Sequence, residues 1–238
     1  MKVVLDIETI QAPREEWARL AGKTPEESAF EPAEGSYDLF TAGAADERRR
    51  IDDEQYAKSA FDGTFSQIVC IGLLEFSDQL EPRGAVAWFG GDERELLRQF
   101  WSRLAQNRPS LFITHNGLGF DLPFIRKRSM IHQVKPSVEV NLAKFRTEPV
   151  YDTMAVWSNW DTRGWVKLDV LARALNVETK SGSGSQVAEM WEKGQGLELA
   201  RYCLQDTYVT YACYSRMNFR QPLSSEVVLL QPELLNVG

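Results

Sequence analysis

One stretch constrains this chain more than any other: Val3 to Thr9, reading Val-Val-Leu-Asp-Ile-Glu-Thr. A short apolar run with β-branched residues and no helix cap forms a buried strand, and the period of two puts Asp6 and Glu8 on one face. Carboxylates held side by side repel and raise each other's pKa unless a cation sits between them. A divalent ion with oxygen preference is the usual remedy. Asp-x-Glu also occurs on solvated strand ends, so the pair needs partners from elsewhere in the chain.

Residues 11–65 read as an insertion after this strand. Pro13, Pro25, Pro32, Gly35, Gly43 and Gly63 interrupt weakly helical pieces such as Arg14 to Ala21 and Ala45 to Ala60. The segment is either a solvated excursion or a lid or strand guide beside the carboxylates. Gln67 to Phe76 and Ala85 to Phe89 are the next strands, turning around Pro82 and Gly84, which makes an antiparallel start. Asp92 caps a helix to about Gln106 with an apolar stripe at Leu96, Leu97, Phe100, Trp101 and Leu104. Leu111 to Thr114 is a fourth strand. It runs into His115-Asn116-Gly117-Leu118-Gly119-Phe120-Asp121, where two glycines let the backbone turn sharply and Pro123 suits the first turn of a new helix. Asp121 therefore sits at a strand-to-helix junction, as a cap or as a site residue. Asp152 to Trp160, Lys167 to Leu175, Gln186 to Glu192 and Leu197 to Phe219 are helical, and the residues from Gln221 form an extended tail. On the last long helix Tyr202 and Asp206 are four apart and share a face, with Leu199, Cys203, Val209 and Cys213 on the adjoining buried side.

Composition bounds the partners. The net charge of −7 argues against a chain that lives on nucleic acid. Residues 11–65, however, hold seven basic and thirteen acidic residues, against 20 and 21 in the rest, so the body is mildly basic once its four candidate metal-binding acids are set aside. That suits brief handling of a polyanion. No apolar run approaches the ~20 residues of a membrane span and no signal pattern precedes the first strand. Cys70, Cys203 and Cys213 have no zinc-like spacing and suit reduced thiols. A cytoplasmic protein with no membrane partner is the expectation.

Three acidic elements in this order resemble the DEDD exonucleases with the ribonuclease H-like fold, in the subgroup with tyrosine in the third motif. Leu5 to Thr9 resembles the first motif, Asn116 to Asp121 the Asn-x-x-x-Phe-Asp second motif, and Tyr202 to Asp206 the third. The wording is similar to predicted exonucleases related to the proofreading domain of family B DNA polymerases. The likeness covers residues 1–220 and leaves 221–238 as a tail. It implies an α/β fold with a mixed five-stranded sheet, antiparallel in its first three strands and flanked by helices. It also implies two divalent ions, Mg²⁺ or Mn²⁺, held by Asp6, Glu8, Asp121 and Asp206, with Tyr202 orienting the attacking water. Thr9, Asn116, Phe120 and Lys180 become candidates for substrate contact.

The implied reaction is 3′-to-5′ hydrolysis of single-stranded DNA to nucleoside 5′-monophosphates, with any polymerase or repair partner acting in trans. An exoribonuclease of ribonuclease D type and a catalytically silent nucleic-acid-binding module are the alternatives. Retention of all five motif residues counts against the silent one. Trp157, Trp160 and Trp165, interleaved with Arg163 and Lys167, either stack bases of a single strand or belong to the core. Lys180 with Ser181 to Ser185 offers a charge and N–H groups to a phosphate, or is a connector. Arg126-Lys127-Arg128 either catches the strand or is surface charge, and Arg48-Arg49-Arg50 is solvated.

Overall fold

The computed structural model describes residues 1–23, 39–178 and 186–238. Strand β1 (Lys2–Gln11) carries the run analysed above, with Val3, Val4, Leu5 and Ile7 buried. It lies between β2 (Ser66–Phe76) and β4 (Leu111–Thr114); β3 (Pro82–Phe89) follows β2, and β5 (Val150–Asp152) follows β4. The first three strands run antiparallel, whereas β4 pairs parallel to β1 and β5 parallel to β4. The expected mixed α/β sheet flanked by helices is present, with one strand more than expected. The sequence Glu233–Asn236 forms β6, parallel to β3 from Val86 opposite Glu233 to Phe89 opposite Asn236. The sheet order is β5-β4-β1-β2-β3-β6.

By compactness the chain divides into two units, Met1–Thr9 with Ile68–Gly238, and Ile10–Gln67. The smaller unit holds α1 (Arg14–Leu20) and α2 (Leu39–Ser59). Trp17 is buried there edge-on to Tyr56, with ring centroids 5.5 Å apart, and Tyr56 donates its hydroxyl to the Ala12 carbonyl at 3.0 Å. Lys23 lies over the Trp17 ring at 4.7 Å and pairs with Asp52.

In the larger unit, α3 (Glu93–Asn107) starts where expected, because Asp92 accepts from the Glu95 N–H at 3.0 Å. Its apolar stripe, Leu96, Leu97, Phe100, Trp101 and Leu104, lies in the main core with β1 and β3. Helix α4 (Asp121–Ile131) follows β4. Next come α5 (Thr153–Trp157), α6 (Leu168–Ala174), α7 (Val187–Glu192), the 22-residue α8 (Gly196–Met217) and the short α9 (Ser225–Val228).

Three expectations change. The turn between β2 and β3 lies before Pro82, because the Ser77 hydroxyl accepts from the N–H groups of Gln79 and Glu81 while Leu80 takes a φ of 68°. Pro82, with no N–H to give, begins the strand. Asp152 ends a strand and caps α5 instead of opening a helix that reaches Trp160. The tail is not merely extended. Its apolar Leu234 and Leu235 sit in β6, and Val237 donates its N–H to the Phe89 carbonyl at 2.8 Å, which gives the backbone of β3 partners on that side.

Two buried acids bind the layers together. Glu93 takes both nitrogens of a forked contact from Arg128, at 2.8 and 2.6 Å, with His132 at 2.7 Å and the Ile68 N–H at 2.8 Å. Glu75 does the same for Arg103, at 2.7 and 2.8 Å, and that guanidinium reaches Glu233 of β6 at 3.3 Å. Arg128 is thus a structural partner and not a strand-catching surface charge; Arg126 is exposed.

Candidate active site

Strand alternation delivers Asp6 and Glu8 to one face of β1, with Ile7 between them pointing into the core. Helix α8 crosses that face. It comes close because Gly72, inside β2, has no side chain. A Cβ there would lie 2.8 Å from the Cys203 Sγ and 3.3 Å from the Thr207 Cγ2. Glycine inside an apolar strand marks such an approach of another backbone. The short gap brings Tyr202, Cys203 and Asp206 to the middle of β1, beside Asp6 and Glu8.

The second motif reaches the same place through a pinned loop. Asp152 is 2% exposed, and its Oδ1 accepts from the N–H groups of Asn116 (2.9 Å), Met154 (3.0 Å) and Ala155 (3.2 Å). Its Oδ2 accepts from the Leu118 N–H at 3.0 Å. One carboxylate thus caps α5 and fixes the loop that leads to Asp121. The glycines serve differently from the expectation. Asn116, and neither glycine, takes the left-handed backbone, with a φ of 65°. Gly117 and Gly119 supply room, since Cβ atoms there would lie 2.4 Å from Thr114 and 2.5 Å from the Asn116 Oδ1. Asp121 opens α4, 3% exposed, and its Oδ1 accepts from the Ile7 N–H at 3.1 Å, the main chain between the two first-motif acids.

The electrostatics register the convergence. Burial first, and then the charges of Glu8, Asp121 and Asp206, hold the Asp6 carboxyl well above the usual carboxylate range. Burial also pushes Asp121 up to about 7, with a further contribution from Asp152. The Tyr202 phenol is raised by burial, by Asp206, to which its hydroxyl donates, and by Glu8 and Asp6. It is a hydrogen-bond donor at neutral pH and not a base. Asp6, raised by burial and by the charges of Glu8, Asp121 and Asp206, marks a crowded set of carboxylates that divalent cations relieve, and carboxylate oxygens suit hard ions. The residues fit such ions.

The other candidates divide. Thr9 follows Glu8 on β1, half-buried. Phe120 precedes α4, tilted against Phe124 with centroids 5.3 Å apart. Lys180 and Ser181 to Ser185 lie outside the described residues. The three tryptophans do not form one stripe. Trp160 packs against the core and Phe145, while Trp157 and Trp165 are exposed, and Arg163 is paired to Asp161 at 2.8 Å. Of the Arg48 to Arg50 run, Arg50 is exposed and pairs with Glu47 at 2.7 Å. His115 bridges the Thr153 hydroxyl (2.9 Å) and the Val166 carbonyl (3.0 Å), and burial lowers its pKa, so it orders the loop as a neutral ring.

Residues the motifs do not name also matter here. Cys203 lies 3.6 Å from the Asp6 Oδ2, and its i,i+3 relation to Asp206 could have placed it on the site face. Gly72 was legible as a glycine inside an apolar strand. Asp152 was legible as a cap before Thr-Met-Ala, but not as the anchor of residues 116–118.

Sequence comparison gives this geometry relatives. Residues 61–228 match the family described as "Predicted 3'-5' exonuclease related to the exonuclease domain of PolB", a span that takes in Asp121, Tyr202 and Asp206. The chain is 28% identical over 138 residues to the DNA polymerases of Pyrococcus glycovorans and Thermococcus gorgonarius, covering 50% of this chain and 17% of each polymerase. It is 26% identical over 167 residues to that of Thermococcus hydrothermalis, 58% of this chain and 10% of that protein. The chain therefore spans less than a fifth of the length of these relatives. With the matched span exceeding half its length, the chain belongs to the family of predicted 3′-5′ exonucleases related to the exonuclease domain of PolB.

Proposed function

We propose that this chain hydrolyses phosphodiester bonds of single-stranded DNA from the 3′ end, releasing nucleoside 5′-monophosphates, with two divalent cations, Mg²⁺ or Mn²⁺, held by Asp6, Glu8, Asp121 and Asp206. The observation that carries this reading is the crowding of acids at the meeting of β1, α4 and α8, where Asp121 accepts from the Ile7 N–H between Asp6 and Glu8, and the charges of Glu8, Asp121 and Asp206 add to burial in raising Asp6. When bound, the ions supply Lewis acidity to the phosphate and a nucleophilic water at neutral pH.

The chain's own residues do the rest. Asp206 lies near enough for its charge to raise Asp6, while Asp121 is held by the Ile7 N–H and by the Asp152-pinned loop. Tyr202, kept protonated, turns its single O–H from Asp206 to the attacking water and orients it without taking its proton. Exposed Trp157 and Trp165 are available for base stacking.

Oligonucleotides of DNA and RNA, labelled at the 3′ or the 5′ end, test the reading in Mn²⁺ and in EDTA. Mononucleotide release from the 3′ end of DNA, only with metal, is expected. Undiminished cleavage in EDTA, cleavage confined to RNA, or none on any substrate contradicts it.

A further inference from the structure

Cys203 brings sulfur to a centre otherwise built from oxygen. Its Sγ lies 3.5 Å from the main-chain oxygen and 3.6 Å from the Oδ2 of Asp6. One ligand atom each from Asp6, Glu8 and Cys203 falls within 4.8 Å of the other two. Both Glu8 and Cys203 are buried. Hard ions of the Mg²⁺ class gain little from a thiol. A tetrahedral thiophilic cation differs, binding carboxylate oxygen at ~2.0–2.2 Å and thiolate sulfur at ~2.3 Å, which sets oxygen and sulfur about 3.6 Å apart. Asp6 and Cys203 already have that spacing.

We propose that Asp6, Glu8 and Cys203 form a second, thiophilic mode of the same centre, holding one cation of the Zn²⁺ class in competition with the hard ions. On binding, the metal–sulfur bond forms as the S–H bond breaks and the proton passes to solvent, with no change of oxidation state. Cys70 touches Cys203 but lies outside the three-ligand group, so the mode carries one sulfur. The consequence, inhibition by Zn²⁺ that a chelator reverses, rests on the exonuclease reading. The binding itself does not.

Cd²⁺ titrated into the full chain is the probe. One Cd²⁺ per chain should bind with a sulfur-to-cadmium charge-transfer band of single-thiolate intensity and release of one proton. Cys203→Ser should lose the band and bind Cd²⁺ at least about tenfold more weakly, while Cys213→Ser keeps it. ¹¹³Cd NMR of the unsubstituted chain counts sulfur ligands without depending on the folding of any variant. A shift typical of all-oxygen ligation, or a band that survives Cys203→Ser, overturns the proposal. Mn²⁺-dependent cleavage of labelled single-stranded DNA is measured alongside. Cleavage without a cadmium–thiolate signal removes the thiophilic mode alone, and the signal without cleavage supports that mode while removing the exonuclease reading.

Discussion

Replacing Asp152 by Asn changes one atom and tests how Asp121 is positioned. The carboxylate accepts four main-chain N–H groups, three on Oδ1 and one on Oδ2. An amide can keep its oxygen toward Asn116, Met154 and Ala155, but then its NH₂ faces the Leu118 N–H, leaving two buried donors opposed. One charge-assisted bond is lost, the others weaken, and the orphaned donor stays desolvated, for a cost of about 2–4 kcal/mol. The variant also removes a charge that raises Asp121, so the loss should be smaller above pH 7 than below it. Urea unfolding at unchanged slope reads the stability and Mn²⁺ calorimetry reads the site, where affinity should fall with the loosened loop. A variant within about 0.5 kcal/mol of the parent, with unaltered Mn²⁺ affinity, would refute the argument that these bonds hold the second motif in place.

Gly72→Ala should destabilise the chain by about 1–3 kcal/mol, despite the better strand propensity of alanine, because the new methyl meets Cys203 at 2.8 Å; adding Cys203→Ala should recover much of that loss, and denaturant midpoints of the four proteins decide it. Tyr202→Phe should lower turnover while sparing Mn²⁺ affinity, read as kcat against calorimetric Kd; unchanged turnover would remove the phenol from the reaction. Arg128→Met leaves Glu93 buried without its fork and should cost about 3–5 kcal/mol, measured by thermal unfolding. In chelator, the folded chain prefers the protonated Asp121 carboxyl, raised to about 7 from 3.8. That stability is fully present below about pH 3.8 and lost as pH rises through about 7, so unfolding midpoints should fall across that window, less steeply in Asp121→Asn.

The legible parts of this chain are those whose cause is local. Alternation alone sets Asp6 and Glu8 on one face, Asp92 caps α3 by its own side chain, and the 3.6-residue period pairs Tyr202 with Asp206. What sequence periodicity does not carry is pairing between distant segments. Nothing near Glu233 announces that four residues there continue the sheet beside Val86 to Phe89. Asp152 shows its cap to α5, while its grip on Asn116 and Leu118 arises only when β5 lies next to β4. Basic runs mislead for the same reason. Arg128 stands in a row of three charges, yet its partner Glu93 lies on another helix, and burial of that pair is a property of the packed layers.

The central claim is that four acids from three separated elements hold divalent cations together. Mn²⁺ binding measured by paramagnetic resonance and calorimetry, on the parent chain and on Asp6→Asn, Asp121→Asn and Asp206→Asn, tests it most directly. The account predicts two Mn²⁺ per chain and loss of at least one from each variant, with folding retained. Equal stoichiometry and affinity in all four proteins would contradict it.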